Sequence, residues 1–308
     1  MTQHTVIANQ QELISLAGVA QHWHRLPLRG PAAMQAGLNK SRHKGRGLEF
    51  AEVRQYQPGD DIRSIDWKLT ARSGKAHTKL YTEERERPVL ILADLSTSTF
   101  FGSQIQFKSA LVARASAFVA WLAKEQGDRV GGIVFNEFSH NEQRPASRQQ
   151  GVLRLIHWLH DYQTEFSDLL KVQDQPGQSW SDRINQLAVL AKPGTRVFLF
   201  SDFNHLTDSS LTPLRRIAAH CEIEAFKVYD PLEADLPKSG VYTVSNGQQR
   251  TQLNTGRSKF RRQFRQDFDQ RNQQLDTLFK GMGQRFTLLS THEAFDQLIP
   301  KLSGIVKS

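Results

Sequence analysis

Two apolar runs that each close on an acidic residue constrain this chain most. Val89–Ala93 reads Val-Leu-Ile-Leu-Ala without a polar side chain and ends in Asp94; Val197–Phe200 reads Val-Phe-Leu-Phe and ends in Ser201 and Asp202. A strand with one wet face alternates apolar and polar residues, so a continuous apolar run belongs to a strand covered on both faces. The segments around these runs supply the covering layers. Residues 104–125 place Phe107, Leu111, Phe118, Trp121 and Leu122 at helical spacing, with Ala110 and Ala115 beside them, and predict an amphipathic helix. A strand follows at 128–135 and a helix at 152–160. A capping-box pattern at Ser179 and Asp182 opens a helix that stops at Pro193 and Gly194. A helix at 209–219, strands at 222–228 and 285–290 and a helix at 293–303 complete the series. Strands alternating with helices imply an α/β, Rossmann-like domain with a mostly parallel central sheet flanked by helices.

The rest of the chain reads differently. Residues 9–24 suggest a short helix, and residues 25–50 are rich in Gly and Pro, which is loop chemistry. Residues 48–87 are strand-like and turn-rich, with Pro58, Gly59, Asp60 and Asp61 as a turn signal. The expected organisation is therefore an N-terminal helix and β-rich extension over 1–87 and the α/β domain over 88–308. Asn246-Gly247 marks a hairpin inserted near 239–256. A charged helix at 257–280 carries Phe260, Phe264 and Phe268, read as a packing stripe. With 38% hydrophobic and 23% charged residues the composition is globular rather than disordered. One cysteine, Cys221, excludes an internal disulfide; it opens an apolar strand and reads as a small core residue. The start lacks a basic segment followed by an apolar one, and no stretch matches the ~18 apolar residues of a membrane helix, so the expected location is cytoplasmic.

The chemistry gathers at the two acidic strand ends. In open α/β sheets ligands sit at the carboxyl ends of strands, which places Asp94 and Asp202 on one edge. Asp94, Ser96 and Ser98 fall at i, i+2 and i+4. One carboxylate and two hydroxyls on a loop that curls over an ion suit a hard, oxygen-seeking cation. Mg²⁺ fits best, with Mn²⁺ or Ca²⁺ as alternatives, and Asp202 binds it either directly or through water. These ligands do not saturate a divalent ion, so an open position remains for an acidic residue of another molecule. That favours a protein-binding role over catalysis, and no catalytic residue is assigned.

The residues also carry a family resemblance. Asp-x-Ser-x-Ser after a core strand resembles the metal-ion-dependent adhesion site of von Willebrand factor A domains. The block Gly45, Gly47, Glu49, Phe50, Arg54, Tyr56, Pro58, Gly59, Asp60, Asp61, Arg63, Ile65, Asp66, Trp67 and Lys68, followed by Ala71, Arg72, Glu83 and Arg85, resembles the bacterial family called domain of unknown function 58. The resemblance is dense from about 45 to 100 and follows the architecture to about 300. It implies a von Willebrand A-like fold and association with a MoxR-type AAA+ ATPase as an adaptor or chaperone-like partner, with no activity of its own. A complete adhesion site also takes a threonine from a second loop. Thr164 and Ser147 are the candidates here, and the alternative is a degenerate site.

Other clusters compete with this one. Asp60, Asp61, Arg63, Asp66 and Trp67 read either as a salt-bridged turn or as a partner-docking face with Trp67 as anchor. The net charge of +9 raises a nucleic-acid alternative, resting on Lys40, Arg42, Lys44 and Arg46 and on Arg257, Lys259, Arg261, Arg262 and Arg265. His157 and His160 share a helix face without an evident third ligand. Gly74-Lys75 lacks the remainder of a phosphate-binding loop, so ATP hydrolysis would belong to a partner.

Overall fold

In the computed structural model of the protein, described here for residues 6–23, 48–57, 60–83, 86–147, 149–165, 180–237, 239–245 and 250–303, the two apolar runs lie side by side at the centre of a sheet. In chain order the elements are α1 (Gln10–Trp23), β1 (Leu48–Gln55), α2 (Trp67–Ser73), β2 (His77–Glu83), β3 (Pro88–Asp94), α3 (Lys108–Glu125), β4 (Arg129–Phe135), β5 (His140–Ala146), α4 (Gln149–Thr164) and α5 (Trp180–Leu190). They continue as β6 (Arg196–Ser201), α6 (Asp208–Ala218), β7 (Glu222–Tyr229), α7 (Pro231–Ala234), β8 (Val241–Ser245), β9 (Arg250–Asn254), α8 (Ser258–Gly281), β10 (Arg285–Ser290) and α9 (Phe295–Leu302).

The chain divides into two compact units, residues 34–86 and the remainder. The larger unit holds a six-stranded sheet in the order β10-β7-β6-β3-β4-β5, parallel except for the β4–β5 pair. Counted from β3, that order is 3-2-1-4-5-6, the doubly wound arrangement whose direction reverses between the first and fourth strands. It is the mostly parallel, helix-flanked α/β sheet that the sequence reading expected. Successive side chains of a strand point to opposite faces, and β3 obeys this strictly. Val89, Ile91 and Ala93 pack with α1, α3, α4 and α9. Leu90 and Leu92 pack with α5, α6 and α8 on the other face. Such burial is worth roughly 1.5–3 kcal/mol per large aliphatic side chain.

Helix α3 departs from the amphipathic helix expected at 104–125. It begins at Lys108, after Phe107 as N-cap, and every residue from Lys108 to Ala123 is buried. The face that would be wet is covered by α1. Trp121 Nε1 donates to Leu13 O at 3.1 Å, and buried Arg114 pairs with Glu12 of α1 at 2.5 Å and with Gln106. Accordingly, α1 packs within the larger unit, whereas the expected boundary grouped it with the β-rich segment. Strand β5 has no apolar pattern. It is an edge strand containing Pro145, and edges tolerate polar residues and proline.

In the smaller unit β1 and β2 form an antiparallel pair with a bulge between Phe50 and Glu52. The sequence reading gave only turns between them, but a short helix, α2, lies there. Asp66 caps its start by accepting from the amides of Lys68 and Leu69, and Gly74 ends it at φ 67°, a left-handed value that suits glycine. No helix among the described residues is long and apolar enough to cross a membrane.

Candidate metal centre at the carboxyl edge of the sheet

Strands β3 and β6 are the neighbours at which the sheet reverses its order. Ala93 pairs with Phe200, so the next residues, Asp94 and Ser201, emerge together, with Asp202 one residue on. Asp94 is fully buried and accepts on both oxygens: Oδ1 from the amide of Ser96 at 3.0 Å and from the Ser96 hydroxyl, Oδ2 from the Ser201 hydroxyl at 2.5 Å. Burial, and after it the Asp202 carboxylate, pushes Asp94 up to about 6 despite those hydrogen bonds. Ser201 Oγ also accepts from the Phe203 amide at 2.9 Å, which fixes the turn where Phe203 takes φ 56°.

Asp202 is engaged differently. Its Oδ2 accepts from Lys108 Nζ at 2.9 Å and from Asn204 Nδ2 at 2.9 Å, and its Oδ1 accepts from the Asn204 amide at 3.1 Å. Burial alone would raise its pKa, but the Lys108 ammonium and these hydrogen bonds outweigh it and hold the carboxyl below its usual range. Lys108 is itself buried and also donates to Glu233 Oε1 at 2.7 Å; against the cost of burial, the two carboxylates raise its pKa and keep it charged. Glu233 belongs to a capping box with Asp230, whose carboxylate accepts from the amide and hydroxyl of Ser103 and from the Thr291 hydroxyl. Asp230 therefore ties the loop after β3 to the ends of β7 and β10.

The remaining oxygens are the informative ones. Ser98 Oγ is buried on the Asp202 side and helps lower that carboxyl's pKa, yet it completes no hydrogen bond of ordinary geometry. In the turn after β4, Glu137 Oε1 accepts from the amide of Thr97 at 2.7 Å and its hydroxyl at 2.6 Å, while its Oε2 is buried without a partner. Asn136, fully inside the same turn, braces it by accepting from Phe138 and Ser139. The second loop beside Asp94-x-Ser-x-Ser therefore brings a glutamate where a threonine was sought. Neither threonine-site candidate is there. Thr164 is exposed at the end of α4, with its hydroxyl on the carbonyls of His160 and Asp161. Ser147 follows β5, whose end pairs with Val130 at the opposite edge of the sheet.

The donor chemistry suits a hard cation: a buried carboxylate held by hydroxyls and an amide (Asp94), the Ser96 hydroxyl on it, the Ser98 hydroxyl on the Asp202 side, and a second carboxylate already half-neutralised by Lys108. Ser98 Oγ, buried and completing no hydrogen bond of ordinary geometry, is the observation that favours the fit. Lys108, Asn204, Glu137 and Glu233 were not among the expected residues. The one available signal was local, an Asn-Glu turn directly after the strand at 128–135.

The other expected residues fall elsewhere. In the smaller unit Asp60 pairs with Arg54 at 2.7 Å, and Asp61 and Asp66 accept from backbone amides as helix caps. Trp67 and Ile62 stand 66% and 63% exposed, and Arg63 is exposed beside them. Lys40, Arg42, Lys44 and Arg46 lie outside the described residues. His157 pairs with Asp161 at 3.3 Å, and no group of three or more His, Cys, Asp or Glu gathers among the described residues. Cys221 is buried, and burial pushes its thiol up to about 11, as for an inert core residue.

Comparison with known proteins places the chain in a family. The family model described as "Protein of unknown function DUF58" matches residues 52–277. An uncharacterized protein of Mycobacterium tuberculosis is 30% identical over 199 residues, which are 64% of this chain and 59% of that protein. The uncharacterized protein YeaD of Bacillus subtilis is 32% identical over 89 residues, 27% of this chain and 22% of its own. Among solved structures, BatB from Bacteroides thetaiotaomicron aligns at a TM-score of 0.44 and 14% identity, over 70% of this chain and 97% of that one. A von Willebrand factor type A protein from Catenulispora acidiphila aligns at 0.41 and 9%, over 74% and 43%. The chain belongs to the DUF58 family. It spans 59% of the length of the mycobacterial relatives it matches.

Proposed function

We propose that this chain is a non-enzymatic protein-interaction module that engages its partner at the carboxyl edge of the sheet, around a divalent cation. Asp94, Ser96 and Ser98 would hold the ion, and Asp202, with Lys108 and Asn204 on its oxygens, would act through water. A cation held there would supply a Lewis-acidic position suited to a carboxylate of the partner. The supporting observation is the pair of buried carboxylates, Asp94 and Asp202, with the buried Ser98 Oγ on the Asp202 side completing no hydrogen bond of ordinary geometry. A buried hydroxyl left unmade costs about 1–3 kcal/mol, and a bound ion removes that cost. The residues around Asp94 position rather than shuttle protons: hydroxyls and an amide on Asp94, an ammonium on Asp202.

The family suggests the partner: a MoxR-type AAA+ ATPase, which would provide the ATP hydrolysis. Exposed Trp67 and Ile62 on the smaller unit would give a second contact, held in place by the Asp61 and Asp66 caps and the Asp60–Arg54 pair.

Calorimetric titration of Mg²⁺ and Mn²⁺ into the EDTA-stripped protein tests the site. Binding is expected for the native chain and its loss for Asp94→Asn, which keeps the shape of the side chain and removes the charge. Equal heats from both proteins would remove the cation from the proposal.

A further inference from the structure

The first half of α8 is left uncovered. No residue from Ser258 to Arg271 is buried; burial starts at Asn272 and continues with Leu275 and Phe279. The contacts set the direction of the helix. Asn272 Oδ1 accepts from Lys227 Nζ at 2.7 Å, and Lys227 stands opposite Ser201 in the sheet. Arg271 donates to Phe203 O at 3.2 Å, next to Asp202. Phe279 stacks on Phe286 at the start of β10, the far edge. Helix α8 thus runs antiparallel to the strands and begins above their carboxyl ends. Phe268 marks the level of the edge, with its ring 5.3 Å from that of Tyr229, the last residue of β7, and Lys227 Nζ over it at 4.9 Å. At 1.5 Å per residue, Ser258–Asp267 continues about 15 Å past that level.

This overhang has a defined chemistry. Phe260, Phe264 and Phe268 fall at i, i+4 and i+8 on one stripe; Phe260 is 40% exposed and Phe264 half-buried. Arg257, Lys259, Arg262 and Arg265 are exposed around it, Arg261 is half-exposed, and no acidic residue occurs from Thr255 to Gln266. Cations three and four apart on a helix repel by a few tenths of a kcal/mol per pair. An acidic, partly apolar partner relieves that repulsion and covers the aromatic stripe. Single-stranded nucleic acids stack on aromatic rings set along a groove or a sheet; a helical stripe with flanking charge is the form that pairs with another protein segment.

We propose that Ser258–Asp267 is a docking surface for an acidic amphipathic segment of a protein partner. It rests on the interaction-module reading but not on the cation. The test uses the full chain and a fluorescein-labelled 20-residue helical peptide with leucines at i, i+3, i+4 and i+7 and glutamates elsewhere. Controls are the same peptide with serines for leucines, a single-stranded DNA 20-mer and phosphatidylglycerol vesicles. The leucine peptide is expected to bind at least about tenfold more tightly than the serine peptide. Phe260→Ser with Phe264→Ser should remove that preference, and Arg262→Glu with Arg265→Glu should weaken binding about tenfold. These positions are at least partly exposed, and circular dichroism checks the fold. EDTA and Asp94→Asn should change nothing; failure of Mg²⁺ binding alongside retained peptide binding would sink the cation and leave this surface standing. Equal binding of the two peptides, indifference to both double variants, or a variant-sensitive preference for DNA or vesicles would overturn the proposal.

Discussion

Ser98 and Ser201 both present hydroxyls to the Asp94–Asp202 pair, and they differ in what they already hold. Ser201 donates to Asp94 and accepts from Phe203, whereas Ser98 completes no hydrogen bond of ordinary geometry. Ser201→Ala is therefore expected to destabilise the EDTA-treated protein by about 1–3 kcal/mol, and Ser98→Ala to leave it no less stable, with a gain of up to about 1–3 kcal/mol from removing the poorly satisfied hydroxyl. Denaturant melts in EDTA check both. Under the cation proposal, Ser98→Ala should nevertheless lower the stabilisation that Mg²⁺ confers on the native chain. At this scale the sequence was informative wherever the backbone alone placed a residue. Asp94, Ser96, Ser98 and Asp202 follow strand ends, and strand ends can be read from apolar runs. Lys108 and Glu233 were not legible, because each acquires its place through a partner about a hundred residues away. A lysine at the start of a helix gives no sign that it will be buried.

Lys227 and Arg114 show how whole elements depend on buried charge. Burial lowers Lys227 from 10.5 to about 8, against the pull of Glu233 and Asp202. The folded state thus binds this proton less tightly than the unfolded chain. Its contribution is least favourable below pH 8 and improves as pH rises from about 8 to 10.5, by roughly 3 kcal/mol at most. Lys227→Met should remove that rise, seen as a flatter stability–pH curve over the same window. In α3, Glu12→Ala takes a carboxylate from buried Arg114 and should cost about 3 kcal/mol, much of it recovered by Glu12→Leu with Arg114→Met. Thermal melts of the three proteins test the pair. The strands that make the core were legible as apolar runs, and most helices from their spacing. Strand β5 was not, because an edge needs no apolar face, nor was α2, whose signal lies in its Asp66 and Gly74 caps rather than in periodicity. The all-round burial of α3 was hidden for a related reason: its outer face carries Arg114 and serines that are buried under α1 and its neighbours.

At the scale of the molecule, the chain offers separate surfaces on separate compact units. The smaller unit exposes Trp67 and Ile62 on a frame of capped turns. Trp67→Ala is expected to leave the melting temperature within about 1–2 °C, since the side chain buries little area, and to weaken association with the partner. The larger unit carries the paired acidic strand ends at the point where the sheet reverses direction. The proposed role joins these features through one requirement, that partner binding depends on a cation at Asp94. Biolayer interferometry with a purified MoxR-type ATPase from the same genome measures this directly, comparing the native chain and Asp94→Ala in Mg²⁺ and in EDTA. Binding by the native chain in Mg²⁺, weakened at least about tenfold by either EDTA or the substitution, is the expected result. Equal binding in all four arms would contradict the cation's role, and no binding in any arm would contradict the partner.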